Sequence, residues 1–158
     1  MYSLSAKLPS RDREKRNSRN LSPGKSRNFA TSDGHRRRHR VLVAFSADTD
    51  VVRIVSRAVA EPWVVKAAAP TAAREALVDP AVRMVVVDDH EIDESSRGWL
   101  LDQIRKLAPN ALIAYIASSH SEQNERRARS YQVQFYTSRP LDHERTLRMI
   151  SSFASAAR

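Results

Sequence analysis

From residue 40 onward, apolar residues fall into two kinds of run that alternate along the chain. Short, near-continuous apolar runs, mostly of Val, Ile, Leu and Ala, occupy 40–45, 63–68, 83–88 and 111–117, and a shorter one carrying Phe135 and Tyr136 occupies 133–137. A strand with one face in water alternates apolar and polar residues. Runs that are apolar at successive positions suit parallel strands covered on both faces. Between them lie stretches of helical period. Residues 48–60 bring Val51, Val52, Val55, Ala58 and Val59 to one side, and residues 71–78 bring Ala72, Ala73, Ala76 and Leu77 together. Residues 97–107 carry Trp99, Leu100, Ile104 and Leu107, and residues 142–156 align Leu147, Ile150, Phe153 and Ala154, with Ala157 nearby. Trp63 and Trp99 are expected in core or edge packing. Pro62, Pro70, Pro80, Pro109 and Pro140 all fall between elements, where a residue without an N–H interrupts nothing. Strand and helix repeated five times predict an α/β fold, a doubly wound parallel sheet with helices on both faces.

The stretch 121–131 departs from this pattern. It is almost wholly polar, with Ala128 and Tyr131 as its plain anchors, and Ser119 followed by Glu122 is a candidate capping box at its start. So thin an apolar stripe predicts a loosely held helix or one that faces a partner.

In a doubly wound sheet the binding crevice lies beyond the carboxyl ends of the strands, at the switch point. That rule gathers Phe45, Ser46, Asp88, Asp89, Ala117, Ser118 and Arg139 around one site. Asp88 begins an acidic segment that continues through Asp89, His90, Glu91, Asp93 and Glu94. Asp48, Asp89 and Glu91 are the candidate cation ligands here, although a continuous run converges on one ion only through a sharp turn. His90 and His120 stand without a nucleophile in a supporting motif and are read as surface residues. No enzymatic activity is expected.

Charge changes the picture at one end only. The net charge of +9 resides in residues 1–40, which carry twelve Lys and Arg against three acids, while the remainder balances at fifteen of each sign. This segment is rich in Ser, Asn, Arg and Lys and cannot bury enough apolar surface to offset the entropy of ordering it. A disordered basic tail over 1–39 is expected, able to bind nucleic acid or an anionic surface nonspecifically, densest at Arg36-Arg37-Arg38-His39-Arg40. With no cysteine there are no disulfides or thiolate metal sites. No apolar run approaches the roughly 18 residues of a membrane span, and the N-terminus lacks a secretory apolar core, so a cytoplasmic protein is expected.

Taken together, these residues resemble the receiver domain of two-component response regulators over about 40–156. The resemblance rests on Val85-Val86-Val87-Asp88 as a phosphoacceptor strand, on Phe135-Tyr136-Thr137-Ser138-Arg139-Pro140-Leu141 as the fifth strand with its following turn, and on the order and lengths of all ten elements. It implies the flavodoxin-like (CheY-like) five-stranded sheet of order 2-1-3-4-5. It also implies a chemistry in which a carboxylate attacks a phosphohistidine or acyl phosphate, Mg2+ sits on hard oxygen ligands, and a lysine and a hydroxyl follow the phosphoryl group.

Carried over by position, Asp88 takes the acceptor place, with Asp89 as second choice. The acid pair that would hold Mg2+ falls on Phe45 and Ser46, which have no carboxylate. The switch hydroxyl falls on Ala117 or, with a one-residue slip, on Ser118. The lysine is Arg139, and the aromatic switch is Phe135 or Tyr136. The loop between Asp88 and Gly98 is longer than the family's and lacks its proline.

The expectation is a degenerate, single-domain receiver of the phosphorelay type (a pseudo-receiver) that acts through protein–protein interaction without phosphorylation. Its implied partners are a histidine kinase, a phosphotransfer protein or a downstream effector, or a second copy through the fourth helix, fifth strand and fifth helix. The alternatives are a phosphorylatable receiver that uses Asp88 with a non-standard Mg2+ site, and a nucleic-acid or anionic-surface binder acting through the tail.

Overall fold

The computed structural model describes residues 39–157. The disordered tail expected over 1–39 therefore lies outside the described residues, apart from His39. Strands and helices alternate: β1 (Arg40–Phe45), α1 (Thr49–Ala58), β2 (Trp63–Ala68), α2 (Ala73–Leu77), β3 (Val82–Asp88), α3 (Glu94–Leu107), β4 (Leu112–Ala117), α4 (Glu122–Ser130), β5 (Phe135–Ser138) and α5 (His143–Ala156). Single 3-10 turns at Pro70–Ala72 and Asp89–Glu91 lead out of β2 and β3. The sheet is parallel throughout, in the order β2-β1-β3-β4-β5.

The continuous apolar runs became the three inner strands. β1, β3 and β4 are buried along nearly their whole length, and each fully buried Val, Leu or Ile among them contributes about 1.5–3 kcal/mol. β2 and β5 form the edges and stay half-open. Successive side chains point to opposite faces, which divides the core in two. On one face Leu42, Ala44, Met84, Val86 and Ile116 pack against Val51 and Val55 of α1 and Ile150 and Ala154 of α5. On the other, Val41, Val43, Phe45, Val85 and Val87 pack against Leu77 of α2, Leu100, Leu101 and Ile104 of α3 and Ala128 of α4.

Helix starts follow their side chains. Asp48 caps α1 by accepting from Asp50 N–H (2.8 Å), and Asp142 caps α5 by accepting from Arg145 N–H (2.9 Å), each worth about 1 kcal/mol. The cap of α4 is Ser121, accepting from Asn124 N–H at 3.4 Å, and not Ser119. The helix begins at Glu122, so its orphan amides lie within reach of residue 121. Trp99 also departs from expectation: it is 48% exposed on the outside of α3, and Gly98 and Leu101 take the inner positions beside Leu100 and Ile104. Trp63 is half-buried, with the Arg40 guanidinium 5.9 Å above its ring.

Among the described residues no helix is long and apolar enough to cross a membrane.

Candidate functional site

Register brings the ends of β1 and β3 together. Phe45 pairs with Val87, so the next residues along, Ser46 and Asp88, leave the sheet side by side. Asp88 is 3% exposed. Its Oδ2 accepts from the Ser46 hydroxyl (2.8 Å) and from Arg139 Nη2 (2.8 Å), and its Oδ1 accepts from His90 N–H at 3.3 Å. Arg139 follows β5 and precedes a cis peptide to Pro140. The same Nη2 also donates to Asp48 Oδ2 at 2.8 Å, so one guanidinium nitrogen bridges the cap of α1 and the end of β3.

The caps reinforce this arrangement. Asp48 offers one oxygen to the first turn of α1 and the other to Arg139, while Ser46 Oγ accepts from Asp48 N–H at 3.1 Å. The Asp50 amide, aided by Arg139, holds the Asp48 carboxyl below its ordinary value against the opposing effect of burial. The two carboxylates raise the Arg139 pKa in spite of desolvation. Arg139 Nε is buried without a hydrogen-bond partner among the described residues.

Phe45 lies wholly in the core and offers no ligand to the site. A cleft of about 350 Å3 opens beside it, walled by Phe45, Pro70, Ile92 and the alanines of 67–69, with Ser46, Asp88 and Glu91 as its polar groups.

This donor set does not fit Mg2+. Mg2+ binds through one or two carboxylates with waters completing its octahedron, and the facing oxygens of Asp48 and Asp88, which could supply them, are joined instead by a guanidinium. No three His, Asp or Glu side chains among the described residues are grouped to hold a metal, so Asp48, Asp89 and Glu91 do not form a joint ligand set.

Asp89 instead points away from Asp88. It is fully buried. Oδ1 accepts a short hydrogen bond from Ser118 N–H, and Oδ2 accepts from the Tyr115 hydroxyl (2.8 Å) and faces Arg97 Nη1 at 3.4 Å. Arg97 is anchored on the carbonyls of Asp89 (3.3 Å) and Ile92 (3.1 Å). Burial first, then the Asp89 carboxylate, pushes the Tyr115 phenol far above its usual range. Tyr115 stacks on Tyr136, with ring centroids 5.7 Å apart and planes 4° from parallel.

The remaining expected positions separate cleanly. Ser118 follows β4 and reaches the site through its backbone N–H, while Ala117 is the last residue of the strand. Of the two aromatic candidates, Tyr136 lies on the α3–α4 face beside the acidic pair, its hydroxyl buried and unpartnered among the described residues. Phe135 faces the other layer, edge-on to Phe153 of α5 at 6.3 Å. His90 and His120 are exposed. Sequence reasoning missed Arg97 and Tyr115. The available signals were a tyrosine inside the otherwise aliphatic run Leu112–Ala117 and an arginine one residue before Gly98 in α3.

No family model matches the chain, and no curated protein matches it. Solved structures do. A response regulator from Thermotoga maritima superposes with a TM-score of 0.62 at 16% identity, over 74% of this chain and 98% of that one. The fold is the receiver fold. A CheY-like protein (tadZ) from Pseudomonas aeruginosa gives 0.57 at 15% identity, covering 73% and 94%. The beryllofluoride-activated NtrC4 receiver domain dimer gives 0.59 at 17%, covering 75% and 98%. Asp88 is the last residue of β3, and Arg139 follows directly after β5.

Proposed function

We propose that this chain is a receiver-fold signalling module of the response-regulator type that works by protein–protein interaction without being phosphorylated. One observation carries the reading: Arg139 Nη2 lies 2.8 Å from both Asp48 and Asp88. A fixed guanidinium thereby sits between the two carboxylates that a divalent cation would have to share. Arginine is always charged and grips carboxylate firmly, so a metal has to displace a cation that never deprotonates. Phe45 and Ser46 supply no carboxylate to help it. Asp88 in this setting is a structural acceptor that anchors β5 to β3.

Protein partners follow from the class: a histidine kinase, a phosphotransfer protein or an effector, or a second copy. The face made by α4, β5 and α5 suits such docking, because α4 buries little of its own surface beyond Ala128. The dimer among the similar solved structures is consistent with it.

The test is intact-mass spectrometry of the full chain after incubation with acetyl phosphate and Mg2+, beside Asp88→Asn. The expected result is no covalent phosphate in either. An adduct on the natural chain that Asp88→Asn lacks would replace this reading with a phosphorylatable receiver.

A further inference from the structure

We infer that Asp89 is a resident anion that locks the end of β4, and with it the α4–β5 surface, in a single conformation. The inference begins from burial. A carboxylate with no exposed surface is retained only when its oxygens are matched by donors. Asp89 draws those donors from three elements: Arg97 from α3, Tyr115 from β4 and the Ser118 amide from the β4–α4 connection. Each bond pulls a separate piece of backbone toward one point.

The coupling continues outward by contact. Tyr115 is held by Asp89 on its hydroxyl and by Tyr136 on its ring, so the rotamer of Tyr136 on β5 is set by a side chain that Asp89 fixes. Beside Arg97, Gly98 lets α4 approach α3 closely: a Cβ there would stand 2.9 Å from Arg127 Nη2 and 3.4 Å from the Tyr131 hydroxyl. A small void lined by Arg97, Gly98, Tyr115 and Arg127 joins the two groups. α4 buries only Ala128 along its length, so its own apolar contacts are too few to fix it. An element so weakly anchored is drawn from the low-stability end of a structure, and the Asp89 cluster sits at its entrance.

For its consequence in signalling this rests on the reading of the protein as a phosphorylation-independent module, because a permanent anion replaces a switchable one. The conformational claim itself is independent of that reading. Asp89 is a positioning residue: it acts on the docking surface through Tyr115, Ser118 and Arg97.

The test is native-state amide hydrogen exchange by NMR on the full chain, without Mg2+ or acyl phosphate, comparing the natural protein with Asp89→Asn. Asparagine keeps the shape but removes the charge. The Ser118 amide is expected to exchange about ten- to a hundredfold faster, the factor that one lost charge-assisted hydrogen bond carries. Signals from α4 and Tyr136 are expected to broaden or double, while β1 and β3 amides keep their protection. Uniform loss of protection across β1, β3 and α4 would mean a merely structural acid and would overturn the inference. So would an unchanged Ser118.

If Asp89→Asn fails to fold, Tyr115→Phe and Arg97→Gln each remove one donor. Both should then give the same local pattern at a smaller factor, and protection at Ser118 and α4 equal to the natural protein's in both would overturn it. Covalent phosphate on Asp88 would end the proposed function and leave this result standing, so the two failures are distinguishable.

Discussion

Replacing Arg139 with alanine removes the cation that joins Asp48 and Asp88, and the structure sets the size of the effect. The bond to Asp88 is charge-assisted and lies on a carboxylate whose side chain is 2% exposed, which places it in the range of about 1.5–3 kcal/mol. The bond to Asp48 reaches a side chain 29% exposed and adds about 0–1 kcal/mol. Stripping one partner from a fully buried pair costs about 3–5 kcal/mol, but Asp88 keeps the Ser46 hydroxyl and the His90 amide. The expected loss is therefore about 2–3 kcal/mol.

Urea unfolding of the full chain reads it directly, as a fall in midpoint at unchanged slope. A double-mutant cycle with Asp88→Asn isolates the pair, and the coupling should exceed about 1 kcal/mol. Arg139→Lys should recover only part of the loss, since an ammonium is a compact point charge with a different reach. An Arg139→Ala protein within about 0.5 kcal/mol of the natural one would refute the claim that this guanidinium holds the strand ends together.

Three further outcomes are expected. Arg105 donates to the carbonyls of Tyr131, Gln132, Pro109 and Ala111, so Arg105→Ala should lower stability by about 2–4 kcal/mol, most visibly as lost exchange protection at the start of β4. Gly98→Ala should cost little in denaturant midpoint and can gain up to about 1 kcal/mol, because a Cβ would press closest, at 2.9 Å, on the far end of the exposed Arg127 side chain, with the Tyr131 hydroxyl next at 3.4 Å; a clear loss would mean that these two side chains hold α4 rigidly against α3. Acid should destabilise the fold through Asp48, held below its ordinary 3.8 chiefly by the Asp50 amide, and through Asp79, held below it chiefly by Lys66. Both folded-state values lie below the unfolded ones, so this stability is complete above about pH 5 and is lost as pH falls through the lowered values. Asp79→Asn should flatten that part of the pH curve.

The inner strands were legible because parallel strands buried on both faces write themselves as unbroken aliphatic runs, and prolines mark the gaps between elements. Helix α4 was legible as a poorly anchored element for the complementary reason. What the pattern could not supply was the direction of side chains at strand ends. Asp88 and Asp89 are neighbours in sequence, yet one turns to Ser46 and Arg139 and the other to Tyr115 and Arg97. The Asp89–Glu91 turn decides this, and nothing in the residue types announces it. An arginine just after the fifth strand was visible in the chain, but its double grip on Asp48 and Asp88 depends on Asp48 sitting at the start of α1, a contact across 91 positions. The half-open state of β2 could not be read from its own composition, which resembles that of the inner strands; only the strand order implied by the receiver resemblance put it at the sheet edge.

The most direct measurement is an amide NMR titration of the full chain with Mg2+, then with beryllofluoride as a mimic of the acyl phosphate. The expected spectrum is well dispersed and does not shift saturably at Asp88, Ser118 or Arg139. Saturable shifts clustering at those residues and spreading to Tyr136 would contradict it, and would mean that a cation can displace Arg139 and charge the site.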